Sequence, residues 1–216
     1  EIIRDAQPEK SGERLIKEET IPVILDEQVI AVISRHRNAE LMRQPSRLEL
    51  NYREVAHNVF RMVAEGTFPY TEHSELFDPA VRVGDGLIRL DINGVITYAS
   101  PNAKSAFNRM GLAGELEGSN LGEVARKVSL VKADAHEEAV EVSLSGKSLR
   151  RVEIENTGGT IDLMALPLLA ATDRIGAIVL LQNVTELRRR ERELVTKYAT
   201  IREIHHRVKN NLQTVS

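Results

Sequence analysis

The run Leu87-Ile88-Arg89-Leu90-Asp91-Ile92-Asn93-Gly94-Val95-Ile96-Thr97-Tyr98 decides the fold. Strand-like residues flank Asn93-Gly94, the strongest short-range signal for a β-hairpin. A two-residue loop would put Val95 and Thr97 on the face of Ile88 and Leu90. A loop one residue longer puts Ile96 and Tyr98 there and buries more apolar area, so the longer loop is expected. Ser100-Pro101 follows at once, serine suited to the N-cap and proline to the first helical position, and predicts a helix ending near Met110-Gly111. Short helical pieces broken by Gly114, Gly118 and Gly122 are expected as far as Ala139. Three strands then close the unit: Leu149–Glu155, Thr160–Leu168 and Ile175–Asn183, with turns at Thr157-Gly158-Gly159 and Asp173-Arg174.

Two strands, several short helices and three strands make an α+β domain over residues 84–184, and this order resembles a PAS domain. The residues that carry the resemblance are Asp91-Ile92-Asn93-Gly94-Val95-Ile96 in the hairpin, Pro101 at the next helix, and Gly176 opening the last strand. Asn183-Val184-Thr185-Glu186 stands where PAS sensors leave their final strand for a signalling helix. The family usually has Asp at the position of Asn183 and Asn at that of Ser100.

Upstream, Ile21–Leu25 and Val29–Ser34 read as a hairpin turned by Asp26-Glu27-Gln28. With nothing before it to pack against, a piece this short cannot build a core, so residues 1–44 read as the tail of a larger domain. Ile21–Arg37 resembles the last two strands of a GAF domain. Ser46 and Glu49 fit a capping box, and Leu48, Tyr52, Val55, Val59 and Met62 follow at spacings of four and three. That stripe suits either an amphipathic helix lying on its own domain or a dimer or interdomain helix. It ends at Gly66, and Thr67–Val83, with Pro69 and Pro79, reads as linker; residues 45–83 form a connecting unit.

Composition bounds the chemistry. Of 216 residues, 42% are hydrophobic and 28% charged, an ordinary globular balance, and the net charge of −3 supplies no global basic field for nucleic acid or an acidic membrane. The longest apolar runs, Ile161–Leu169 and Ile175–Leu181, fall well short of the ~20 residues that span a bilayer. Without cysteine there are no disulfides, thiolate metal sites or thiol nucleophiles. A cytoplasmic protein with no direct nucleic-acid or membrane contact is expected. Glu1 opens the chain and a helical pattern still runs at Ser216, so the natural protein is expected to extend on both sides.

From Thr185, which can cap a helix, no glycine or proline intervenes to Ser216. Glu186 with Arg190 and Glu193 with Lys197 are favourable i,i+4 pairs. Leu187, Leu194, Ile201, Val208 and Val215 recur every seven residues; Glu191, Tyr198, His205 and Leu212 form the second row. This is the seam of a parallel helix pair or bundle over residues 185–216. His205 falls on the seam. His206, about 100° further round, points away from it and is open to a phosphoryl donor held elsewhere. Arg207 and Lys209 bring positive charge nearby, and Asn210 and Asn211 are costly in a helix unless they make contacts. On spacing alone, two solvated or packed histidines would explain the pattern.

Glu203-Ile204-His205-His206-Arg207-Val208-Lys209-Asn210-Asn211-Leu212-Gln213 resembles the phosphoacceptor box of the HisKA class allied to the HWE kinases. There the histidine followed by Arg, one variable residue, Lys and Asn is phosphorylated, which corresponds to His206, with Arg207, Lys209 and Asn210 as motif neighbours. Commoner kinases carry an acidic residue after the histidine instead. The full arrangement, together with Thr67-Phe68-Pro69 and Tyr98-Ala99-Ser100-Pro101-Asn102-Ala103, is similar to the cytosolic GAF–PAS sensor histidine kinases. The resemblance implies a homodimer, autophosphorylation from ATP with Mg, and transfer to a response-regulator aspartate, the regulator in that family typically carrying an RNA-binding antiterminator domain. The chain itself lacks an ATP-binding domain and is expected to be inactive alone. The rival reading is a non-catalytic PAS module whose coiled coil dimerises a regulator or whose pocket binds a ligand.

His136 lies where haem-binding PAS sensors carry their iron ligand, but Asp134, Glu137 and Glu138 suit a surface helix better. His36, His57 and His73 share no metal-ligand spacing, so no metal is expected. Gly84-Asp85-Gly86 precedes a strand rather than a helix, unlike a phosphate loop. Arg188-Arg189-Arg190 is interleaved with acids and reads as a solvated face.

Overall fold

The computed structural model describes residues 4–5, 9–11, 14–25, 27–38, 44–68, 85–129 and 144–213. His73, Gly84, His136 and the helical pieces expected through Ala139 lie wholly or partly outside them.

The N-terminal sheet is built on one long strand. β3 (Arg14–Leu25) pairs antiparallel with β4 (Gln28–Asn38) along one edge, and with β1 (Arg4–Asp5) and β2 (Glu9–Ser11) along the other. The expected hairpin is therefore present, but something does precede it: two short strands share its free edge. Leu25 pairs with Gln28, so Gln28 belongs to the strand and not to the turn, and Glu27 takes a left-handed φ of 62°.

Helix α1 (Arg47–Ala64) begins at Ser46, whose Oγ accepts from Glu49 N at 3.2 Å. The Glu49 carboxylate meets the Arg53 guanidinium. The stripe, which suited either a helix lying on its own domain or a dimer or interdomain helix, meets a sheet. Leu48, Tyr52, Val55, Val59 and Met62 pack with Leu87, Tyr98, Leu149, Met164, Leu166, Leu168 and Ile178. The spacing demands only a continuous apolar partner, and a twisted sheet face supplies one as well as a helix does. Both ends are fastened. Arg47 donates to Glu117 at 2.8 Å and stands 5.5 Å over the Tyr98 ring, while Leu169 N donates to Met62 Sδ at 3.4 Å and Ala171 N to Glu65 Oε2 at 2.9 Å. In the middle, Arg89 forks onto Glu54 at 2.7 and 2.5 Å and reaches Asn51 Oδ1 at 2.8 Å. Its other side faces the N-terminal sheet: buried Glu19 holds Arg35, and His57 Nδ1 lies 3.7 Å from Glu19.

The second sheet has five antiparallel strands in the order β6-β5-β9-β8-β7: β5 (Leu87–Leu90), β6 (Ile96–Ala99), β7 (Arg150–Asn156), β8 (Gly159–Ala170) and β9 (Asp173–Asn183). Counted from β5 this is 2-1-5-4-3, with α2 (Pro101–Arg109) and α3 (Leu121–Val128) covering the inner face, the arrangement expected of a PAS domain. Phe107, Leu121, Val124 and Val128 pack there on Ile88, Leu90, Ile154, Ile161, Leu163 and Val179. Because α1 covers the outer face, β8 is buried continuously from Thr160 to Leu168 instead of alternating.

The deciding hairpin has the longer loop, but half of its expected face is reversed. Asp91 N donates to Val95 O at 2.9 Å, and Asp91 Oδ1 accepts from Asn93 N and Val95 N at 2.8 and 2.9 Å. Ile96 pairs with Leu90 and joins the inner core as expected. The register then slips: Tyr98 pairs with Arg89 and Ala99 with Ile88. Thr97 is the extra residue, so Tyr98 turns to the outer face against α1. Ser100 caps α2 as predicted, accepting from Ala103 N at 3.4 Å, and also takes Leu87 N at 2.9 Å. The last turn is Ala171-Thr172, two residues earlier than expected, with Ala171 at φ 52°. Gly176 lies inside β9, at φ 153°; a Cβ there would stand 2.5 Å from Leu90 O, so only glycine lets β9 close on β5.

Candidate phosphoacceptor helix and its junction with the sheet

Helix α4 (Thr185–Gln213) leaves β9 after a single residue, Val184, which is itself buried. Thr185 was expected to cap it, and the structure assigns that task differently. Asn183 Oδ1 accepts from Thr185 N at 3.0 Å. The Thr185 hydroxyl turns to the neighbouring strand, accepting from Thr160 N at 2.9 Å and donating to Thr160 O at 3.3 Å. Val184 N also donates to Thr160 O, at 3.0 Å. The helix start thus continues the β8 ladder, and Gly159 makes room for it: a Cβ there would lie 2.5 Å from Thr185 Oγ1.

A second attachment is ionic. Arg188 reaches Glu153 of β7 at 2.8 and 2.5 Å and Glu191 at 2.7 Å; Arg192 reaches Glu155 at 2.5 Å. Glu153 and Glu155 are two apart, so they share one face of the edge strand, and Arg188 and Arg192 are four apart on one helix face. The carboxylates of Glu153 and Glu191 push the Arg188 pKa above its ordinary value. Sequence reading had placed Arg188 on a solvated face. The signal was there in Glu153 and Glu155, but only the fold puts them beside the helix. Glu186 and Glu193 are both bridged by Arg189, at 2.9 Å each, rather than by the expected Arg190 and Lys197. The hydrogen bond from Arg189, with its charge, lowers the Glu186 pKa.

Beyond these turns the helix stands clear: every residue from Arg189 to His206 is exposed. Leu187, Leu194, Tyr198 and Ile201 of the seam are 53, 52, 70 and 49% accessible, with Val195 and Ile204 beside them. His205 and His206 both lie on this exposed stretch, and Arg207, Lys209 and Asn210 continue the same helix. His36 is paired with Glu18 at 3.1 Å and His57 with Glu19, structural positions in the N-terminal sheet and α1. No group of three or more metal-ligating side chains occurs among the described residues, and none of their helices is long and apolar enough to cross a membrane.

Residues 1–56 match the family model described as histidine kinase PdtaS, GAF domain. Sensor histidine kinase PdtaS of Mycobacterium tuberculosis is 48% identical over 202 residues, covering 92% of this chain and 40% of the relative. That of Mycolicibacterium smegmatis is 46% identical over 200 residues with the same coverage of each. A solved structure, the sensor region of a sensor histidine kinase, superposes with a TM-score of 0.66 at 40% identity, over 79% of this chain and 65% of that one. The chain spans about two fifths of the length of the curated relatives it matches. Over the stretch that these matches cover, this chain is similar to PdtaS sensor histidine kinases, its N-terminal residues to their GAF domain and most of its length to the sensor region of a sensor histidine kinase.

Proposed function

We propose that this chain senses a signal for a parent kinase that phosphorylates His206 from ATP, with Mg, and passes the phosphoryl group to an aspartate of a response regulator. The observation that carries the reading is the position of His206: exposed, off the apolar seam, on a helix continuous with the last strand of the sensory sheet. Its neighbours Arg207, Lys209 and Asn210 then belong to the phosphoacceptor motif. Units divided at 1–44, 45–83, 84–184 and 185–216 would act in series, and the exposed seam of α4 would pair with its copy in a homodimer. The regulator would be of the type carrying an RNA-binding antiterminator domain. A change at either sensory unit would alter the packing of α4 and hence the access of His206 to ATP.

Autophosphorylation of the full-length parent with labelled ATP tests the reading. Loss of acid-labile label in His206→Ala, with label kept in His205→Ala, is expected. No label in the wild type would favour the interaction-module alternative. A helix-breaking insertion near Thr196 should leave phosphorylation independent of the signal; undisturbed signal dependence would refute coupling through α4.

A further inference from the structure

The box around His206 has an arginine where the commoner kinases place an acid, yet an imidazole nucleophile benefits from a carboxylate. A neutral ring has one nitrogen protonated and one bare, and a group that accepts from Nδ1–H leaves Nε2 as the nucleophile. From Leu194 to Ser216 the sequence contains one acidic residue, Glu203. It stands three residues before His206, and residues three apart are neighbours on a helix surface. Side chains on a helix lean toward its N-terminus, so the ring of His206 lies back over the turn that carries Arg202 and Glu203, not over Arg207 or Lys209. In the structure, Glu203 and His206 line one open groove along α4 together with the seam residues Tyr198, Ile201 and His205, all of them exposed.

We propose that Glu203 is the positioning residue for His206, accepting a hydrogen bond from its Nδ1–H so that Nε2 faces the phosphoryl donor. The proposal rests on the reading of His206 as phosphoacceptor. In the step, the Nε2 lone pair forms a bond to the γ-phosphorus of ATP as the bond from that phosphorus to the bridging oxygen breaks, its electrons leaving with ADP. The ring gains positive charge while Nδ1 is still protonated. The Glu203 carboxylate stabilises that charge and, as general base, takes the Nδ1 proton as the phosphoimidazole returns to neutrality.

The test uses the full-length parent with ATP and Mg, comparing wild type, Glu203→Gln, Glu203→Asp and His206→Ala. Glu203→Gln should lower the rate at saturating ATP by roughly a hundredfold or more, the low end for loss of acid–base assistance, with KM for ATP within about twofold. Glu203→Asp should recover part of the rate. A wild-type rate in Glu203→Gln, with His206→Ala inactive, would overturn the proposal alone. An equal loss in Glu203→Gln and Glu203→Asp, with a lowered unfolding midpoint in both, would reduce Glu203 to a helix-stabilising role and also overturn it. Label persisting in His206→Ala would remove the underlying reading and this proposal together.

Discussion

Thr185 joins sheet and helix through one hydroxyl, because its bonds to Thr160 N and O extend the β8 ladder into α4. Thr185→Ala would leave the amide of buried Thr160 without that acceptor, and a buried unsatisfied donor costs about 1–3 kcal/mol. Denaturant unfolding should show that loss, and Thr185→Ser should largely restore stability. Glu117 is the corresponding residue at the other end of the outer face. Burial raises its carboxyl pKa, but hydrogen bonds from Arg47, Ala99 N and Lys104 together outweigh this and hold it below the usual carboxylate range. A lowered folded pKa gives stability that is present above the unfolded value and lost as pH falls through the folded one. The wild type should therefore lose more stability than Glu117→Gln across that acidic window. Parallel losses in the two proteins would mean that the carboxylate contributes nothing there. Neither role was legible from sequence: Thr185 reads as a cap, and Glu117 as one acid in a glycine-rich loop.

Among the elements, α1 and α4 show how far periodicity reaches. The stripe from Leu48 to Met62 was visible, and so was the seam from Leu187 to Val208, both at spacings of four and three. Only the fold separates them, burying one on a sheet and leaving the other exposed from Leu187 to His205. Met62 is 1% accessible and Leu50 50%. Met62→Ala should cost about 2–5 kcal/mol on thermal unfolding, whereas Leu50→Ala should stay within roughly 0.5 kcal/mol. Comparable effects at both positions would contradict the docking of α1. The hairpin tells a similar story. Asn93-Gly94 announced the turn and Ile96 the inner face, but a one-residue bulge at Thr97 leaves no mark in the pattern and sends Tyr98 to the other side. For α4, Glu153→Arg should free its first turns, raising amide exchange around Arg188. Adding Arg188→Glu should restore protection; if the double variant stays open, the pair does not hold the helix. The stability change should be small, about 0.2–1 kcal/mol, because both side chains are about one third accessible.

At the scale of the molecule, α1 contacts β3 of the first sheet and β8 of the second, while α4 leaves from β9 and is tied to β7 and β8. A displacement in the N-terminal sheet thus has a packed route through α1 to the outer face of the second sheet, and from there to the helix of His206. That chain of contacts is the physical basis for proposing that sensing reaches the histidine. Leu194 and Ile201, exposed by 52 and 49%, should lie at the centre of the dimer seam. Leu194→Glu with Ile201→Glu should yield monomers in sedimentation while leaving the sheet core folded; a dimer unchanged by both would place the interface elsewhere. The most direct measurement is phosphopeptide mapping of the full-length parent, quenched at alkaline pH during autophosphorylation. The account predicts the phosphoryl group on His206. A phosphoryl group on His205, or on no histidine of this helix, would contradict it.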